Sequence, residues 1–521
     1  MRPAGGTRPT TVGSLLLMAC LLQGACRSID LDAPRPASIA LARADTSDTR
    51  LGRGVDALPR VAAGESGFDL IRDGIDALAV RLMMAARADR SLDVQYYLIK
   101  EDITTQAVLH ELLRAGDRGV RVRFLLDDFL TPGLDEHLRA LDAHPAVEVR
   151  LVNPFANRGL RFLDGATDFR RVNRRMHNKS FTADNQATVI GGRNIADEYF
   201  AAREGSNFGD LDVFAVGSVV QEVSAMFDAY WNHETAIPIQ AVTGPLEDPD
   251  GALEALRARL SRNVDRALES RYAEALTSTI LDIDARTADR LTWCPYELVH
   301  DAPDKLLPRR SKGAETILTE LREAIDRSRE EVLIVSPYFV PLADDQAFFA
   351  GLVERGVRLR VVTNSLAANN HSAVHAGYAR ARKPLLARGV ELYEVREDAA
   401  VSGTERSGLD SSRATLHTKA FAIDDERLFV GSFNFDPRSA YLNSEMGIFL
   451  DDPELVREAL ESVEEALPET TWTAQLDEQG RLRWLTTRDG ERTVRTTEPG
   501  VGFFKRLMVD VLRMLPIRGQ L

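Results

Sequence analysis

Cysteine is nearly absent from this 521-residue chain: three residues, two of them within the first 26. No disulfide framework is available to the body, where Cys294 stands alone. In its TWCPYEL context Cys294 reads as a small packed side chain rather than a nucleophile. Long apolar runs are lacking too. SLLLMACLLQGA, near the N-terminus, falls short of the roughly 20 residues that a membrane-spanning helix needs. An excess of positive charge is missing as well: the formal net charge is -14, which excludes a general basic nucleic-acid surface, and no nucleic-acid partner is expected. Lysine is scarce, with seven residues, so two lysines in one repeated pattern stand out.

What is present begins with a targeting segment. Arg2 and Arg8 precede the uncharged run Pro9 to Ala25, an n-region followed by an h-region. LMAC and LQGAC both resemble bacterial lipoprotein cleavage sites. Cys26 follows the longer h-region and opens the polar chain, so 1-26 is read as a lipoprotein-type signal peptide with Cys26 as the lipid attachment; Cys20, an uncleaved anchor and an ordinary signal peptide are the alternatives. This places the protein on the bacterial cell envelope, attached to a membrane. Residues 27-65, rich in Ala, Pro, Arg and Asp, are expected to form a flexible tether, whose length of about 40 residues would average roughly 35 Å.

The rest repeats itself at long range. SLDVQYYLI (91-99) resembles VLIVSPYFV (332-340), and GVRVRFLLDD (119-128) resembles GVRLRVVTNS (356-365). Short β-branched runs alternate with helical patterns (70-88 and 104-116; 314-329 and 344-355), which predicts α/β layers in two halves related by a pseudo-twofold. The expected division is a first domain over 66-244, a helical connector over 245-310 containing one long helix, a second domain over 311-470, and a C-terminal hairpin and amphipathic helix over 471-521. That last helix carries an apolar side suited either to a membrane surface or to docking on the protein.

Each half contains one copy of His-x-Lys-x4-Asp-x6-Gly-x2-Asn: His177, Lys179, Asp184, Gly191 and Asn194, then His417, Lys419, Asp424, Gly431 and Asn434. On an extended strand, His and Lys two apart share a face. Two copies across a pseudo-twofold gather two histidines and two lysines around one site. The lysines neutralise an anion and Asn194 and Asn434 donate to it. One imidazole attacks and the other protonates the leaving oxygen, which is a recipe for phosphodiester displacement through a phosphohistidine. A carboxylate on the far ring nitrogen would orient each imidazole, and Asp210 and Glu445 are suitably placed, with Asp212 a rival to Asp210. Asp184 and Asp424 are expected to hold backbone or lysine and fix the site. No cofactor is required and no metal is expected, since lysines among the ligands would repel a cation.

The motif pair resembles the phospholipase D superfamily in its two-repeat, single-chain form, over roughly residues 65-470. Within it, VVTNSLAANNHSAVHAGYARARKPLLARGVELYE (361-394), FNFDPRSAYLNSEMGI (433-448) and LMVDVLRMLPIRGQL are similar to the bacterial cardiolipin synthases, above all the branch called cardiolipin synthase C. The resemblance implies two α/β/α sandwich domains, with His177 and His417 as nucleophile and general acid. It implies Lys179, Lys419, Asn194 and Asn434 on the phosphate, and phospholipid substrates: phosphatidylglycerol plus a second phospholipid such as phosphatidylethanolamine. Phospholipase D-type hydrolysis of phospholipid or nucleic acid is the alternative. His375 and Tyr378 fit either a pocket wall near the phosphate or head group or the structural packing of their helix. Between Asn157 and Lys179, seven cations face Asp164 and Asp168 alone, a patch suited to lipid phosphate.

Overall fold

A computed structural model describes residue 29 and residues 33-131, 133-308, 316-399, 413-488 and 490-514. The expected signal segment 1-26, with Cys20 and Cys26, lies outside the described residues, as does the end of the chain from 515.

Two mixed sheets dominate. The first runs, edge to edge, Thr292–Trp293, Gly67–Ile71, Asp212–Val216, Ala187–Gly191, Ser180–Ala183, Ser91–Leu98, Arg121–Leu130, Val147–Val152 and Ala236–Pro238. The second runs Tyr296–His300, Met446–Leu450, Arg427–Gly431, Ala420–Ile423, Glu331–Val335, Arg358–Asn364, Glu391–Val395 and Thr471–Leu476, then continues into Leu482–Arg488 and Glu491–Arg495. From Gly67–Ile71 and Tyr296–His300 onward the two orders correspond strand for strand. In each half three parallel strands, fed by helices, adjoin an antiparallel group that includes the motif strand. The central strands are buried on both faces, which is why they read as continuous Val, Ile, Leu and Phe runs.

Three apolar clusters fill the layers. One lies under the first half's helices, another under the second half's, and a third is shared. The shared core joins Ile190, Val213 and Ala215 of the first sheet to Val430, Met446 and Ile448 of the second. The pseudo-twofold expected from the repeat is therefore a packed interface.

Several boundaries differ from expectation. The helix expected over 70-88 starts at Gly74, because the Asp73 carboxylate caps it by accepting from the Ile75 amide at 2.7 Å. The single long connector helix is two, Pro249–Ala267 and Arg271–Arg286, with Ser270 capping the second by accepting from the Ala273 amide at 3.2 Å. The 245-310 connector also supplies a strand to each sheet, and Thr471–Leu476 pairs within the second sheet, which the following hairpin extends.

The largest correction concerns the tether. Arg43–Thr46, Arg50–Asp56 and Pro59–Ala62 are helical, and Val55 and Val61 enter the first core. Buried Arg150 donates to the Pro36 carbonyl at 2.8 Å, and Arg123 donates to that of Ser38 at 2.9 Å. Two guanidiniums taken from the first sheet thus fix the segment, and the 40-residue reach does not hold. Among the described residues no helix is long and apolar enough to cross a membrane.

Candidate active site

The motif histidines and lysines lie not within the ladders but just ahead of the strands Ser180–Ala183 and Ala420–Ile423. There the extended chain leaves its own sheet and pairs with the other half. The His177 amide donates to the Ser444 carbonyl at 2.9 Å, and Met176 bridges Ser444. Symmetrically, Arg413–Leu416 runs parallel to Ser206–Gly209, and the His417 amide donates to the Gly209 carbonyl at 2.7 Å.

The side chains follow the backbone across. His177 Nδ1 lies 2.8 Å from Glu445 Oε2, and His417 Nδ1 lies 2.6 Å from Asp210 Oδ2. Each half's histidine is held by the other half's carboxylate. Both rings are 6% exposed, the lysines 1%, and Glu445 is fully buried. Neither Nε2 has a hydrogen-bond partner among the described residues. A ring whose Nδ1–H is donated to a carboxylate presents a neutral Nε2 lone pair outward.

Electrostatics keep both rings neutral. Burial lowers His177 to about 4 against the pull of Glu445. Burial and the adjoining Lys419 ammonium, whose Nζ comes within 2.7 Å of Nδ1, take His417 to about 3. Burial works to raise both carboxylates. For Glu445 the His177 ring and the Lys179 charge outweigh it, and for Asp210 the Lys419 charge and His417 do, so both end below the usual range. Burial, eased by Glu445 and Asp210 respectively, brings Lys179 down to about 7 and Lys419 to about 8. Each ammonium also lowers the other or a neighbouring ring, which marks the four groups as one site.

These values carry a signed prediction. An ammonium exists below its pKa and is lost above it, so capture of a phosphodiester should weaken as pH rises through about 7 to 8. A bound anion raises both lysines again. The alkaline limb of kcat/KM, which reports the free protein, should therefore fall at lower pH than that of kcat. Coincident limbs in a pH–rate series would contradict the assignment.

Asn194 and Asn434 are buried, and each leaves its side-chain carbonyl without a partner among the described residues. Asn194 donates to the Tyr199 hydroxyl at 2.9 Å, and Tyr199 in turn packs edge-on to His417 with centroids 5.0 Å apart. Asp184 and Asp424, expected to hold backbone or lysine, hold backbone, and they do so away from the histidines. They sit at φ 51 and 49, at the far end of the motif strands. Asp184 accepts from the amides of Asp89, Arg90 and Ser91 at 2.8–2.9 Å, and Asp424 from those of Glu330 and Glu331 at 2.8 and 2.9 Å. They pin the entry of the neighbouring parallel strand. Asp212 is no rival to Asp210: its carboxylate holds buried Arg81 at 2.8 Å.

Sequence reasoning missed several positioning residues. Arg193 donates to the carbonyls of Ile71, Arg72, Tyr199 and Asp210, stapling the loop that carries Asp210. Its place inside the Gly-Gly-Arg-Asn turn was the available signal. Asp301 brackets Glu445, accepting from its amide at 3.0 Å and donating its own amide to the Glu445 carbonyl at 2.9 Å; buried Lys305 neutralises it at 2.7 Å. Ser432 donates to Glu445 Oε2 at 2.5 Å, where the first half has Gly192, at which any added Cβ would collide with Asp210. Tyr97 stands edge-on to His177 at 4.8 Å.

Of the two readings of His375 and Tyr378 the structure has the packing one, in a buried network away from the motif residues: His375 Nε2 meets Arg382 at 3.1 Å, and the Tyr378 hydroxyl donates to Glu394 at 3.0 Å. The basic stretch 158-179 is mostly neutralised. Arg158 pairs with Asp128 and Asp135, Arg161 with Asp128, Arg171 with Asp168, and Arg175 with Asp127. Acids distant in sequence cancel the local excess. Among the described residues no group of three or more His, Cys, Asp or Glu could hold a metal ion.

Residues 81–231 and 321–467 both match the family described as cardiolipin synthase, PLD-like domain. Cardiolipin synthase C of Escherichia coli is 41% identical over 458 residues, covering 87% of this chain and 96% of its own. A cardiolipin synthase of Staphylococcus aureus is 24% identical, covering 82% and 72%. Among solved structures, phosphatidylserine synthase of Haemophilus influenzae aligns with a TM-score of 0.55 over 90% of this chain and 100% of its own, at 11% identity, a likeness of fold.

Proposed function

The chain belongs to the cardiolipin synthase family built on phospholipase D-like domains, and from that premise we propose that it is a phosphatidyltransferase making cardiolipin from phosphatidylglycerol and a second phospholipid. The carrying observation is the exchange of carboxylates across the halves, which holds two imidazoles in one tautomer around two buried lysines. Nε2 of one histidine attacks the phosphorus of the donor lipid. The P–N bond forms and the P–O bond to the departing head-group alcohol breaks. The second imidazole, protonated when the phosphate anion enters, gives that alcohol its proton. The roles then reverse: the same ring takes a proton from the acceptor lipid's glycerol hydroxyl, whose oxygen displaces the phosphohistidine. One phosphodiester replaces another, so no nucleotide is consumed. Lys179 and Lys419, with Asn194 and Asn434 beside them, neutralise the phosphoryl oxygens throughout.

The purified protein should convert phosphatidylglycerol into cardiolipin, with free glycerol as the other product. With phosphatidylethanolamine added, resolving the released alcohol as glycerol or ethanolamine identifies the donor. Phosphatidic acid as the main product, with water as acceptor, would overturn the transferase reading in favour of hydrolysis.

Attachment to the envelope membrane through Cys26 belongs to the same proposal. Because the chain is already fixed to the first domain at Pro36 and Ser38, a lipidated Cys26 would hold the body close to the bilayer. Cys26→Ser should release the protein from membranes washed at high salt, which screens electrostatic docking, or stall its processing, and Cys20→Ser should do neither. Intact-mass measurement showing no lipid on either cysteine would end the claim.

A further inference from the structure

The helix Phe503–Met514 has two unlike faces. Phe503, Phe504, Leu507, Met508, Val511 and Met514 are 46–83% exposed. At 3.6 residues per turn they form one continuous side. On the opposite side Val509 is buried against Leu366 and Ala376, with Val501 and Leu512 beside it. The helix is thus seated by a narrow seam, and its larger apolar face points away from the protein.

Between seam and outer face, Arg506, Asp510 and Arg513 enter a cavity of about 500 Å³. Its other walls are Arg380, Arg382 and Lys383 of the helix Ser372–Leu386, and Arg481 and Arg483 at the start of the added hairpin. Seven cations line it against two carboxylates, Glu498 and Asp510, in a chain of net charge -14. Some of that charge is met internally: Arg382 by Glu394 and Glu498, Arg481 and Arg483 by Asp477, and Arg513 by Asp510. The side chains of Arg380 and Lys383 have no ion pair or hydrogen bond among the described residues. None of the motif histidines, lysines or asparagines lines the cavity.

A cationic cavity beside an outward apolar helix face is complementary to an amphiphile with an anionic head. We propose that this cavity and helix form a second anionic-phospholipid site, separate from the catalytic centre, that docks the protein on a phosphatidylglycerol-containing bilayer. The head-group phosphate lies among Arg380, Lys383 and Arg506, and Phe503, Phe504 and Leu507 enter the acyl boundary. The proposal rests on the phospholipid reading only for its choice of ligand.

The test uses the full chain carrying Cys20→Ser and Cys26→Ser, so that no acyl group anchors it, with His417→Ala to prevent turnover. Co-sedimentation is measured with vesicles of phosphatidylcholine alone and of phosphatidylcholine mixed with phosphatidylglycerol. Binding should require phosphatidylglycerol. The pair Arg380→Ala and Lys383→Ala should weaken it on the order of tenfold, and Phe504→Ser with Leu507→Ser should weaken it comparably. All four positions are away from the core clusters, and far-ultraviolet circular dichroism checks the fold. In a His417 background, both double variants should keep turnover of detergent-dispersed phosphatidylglycerol. Equal binding to both vesicles, binding unmoved by the variants, loss of micellar turnover, or displacement by inorganic phosphate alone would each overturn the proposal. Wild-type protein that binds these vesicles yet makes no cardiolipin would instead count against the proposed function.

Discussion

His177→Ala and His417→Ala should each abolish turnover, by on the order of 10⁴-fold or more, and the double variant should be hardly worse than either. In the proposed mechanism the two rings act in sequence on one phosphorus: without the first no P–N bond forms, and without the second the leaving alkoxide has no proton. Their effects therefore cannot add. Folding should be little disturbed, since neither ring belongs to an apolar cluster and each variant leaves its carboxylate next to a lysine. Single-turnover measurement with a labelled donor sharpens the result. The nucleophile's variant should retain no label on protein, and the other should acquire it slowly. Substantial activity in either single variant would dismantle the one-site model.

That model was legible in the sequence because the chemistry is written locally. His, Lys and Asn recur at fixed spacing, and a pattern of that length occurring twice needs no tertiary information. The pairing of His177 with Glu445 and of His417 with Asp210 was hidden, because it joins positions 268 and 207 residues apart through a crossing that no local period records. The same limit explains the basic stretch before Lys179. Its arginines sit among few acids in sequence but meet Asp127, Asp128 and Asp135 in space. Composition misled at the tether, where Ala, Pro and Arg read as unstructured until Arg123 and Arg150 of the first sheet supply the partners. The Asp of each motif was legible as a fixer of structure, and not as to what it fixes.

The crossing has a consequence for the carboxylates. Glu445→Gln and Asp210→Asn keep size and burial nearly unchanged, but an amide can offer its NH₂ to Nδ1. The ring then shifts its proton to Nε2, the atom required to attack, and kcat should fall about 10²- to 10⁴-fold with KM little changed. A merely structural residue would not produce that split. In proton NMR, the hydrogen-bonded Nδ1–H resonance of the partner ring should disappear. Asp212→Asn is the contrasting case two residues away. It leaves Arg81 charged, buried and without its anion, which should cost about 3–5 kcal/mol of stability. The protein surviving below its lowered Tm should still turn over lipid. If Asp212→Asn silences the folded protein while Asp210→Asn does not, the orienting carboxylate has been assigned to the wrong residue. If Glu445→Gln alone is harmless, the two halves do not share their histidines in the way the fold brings them together.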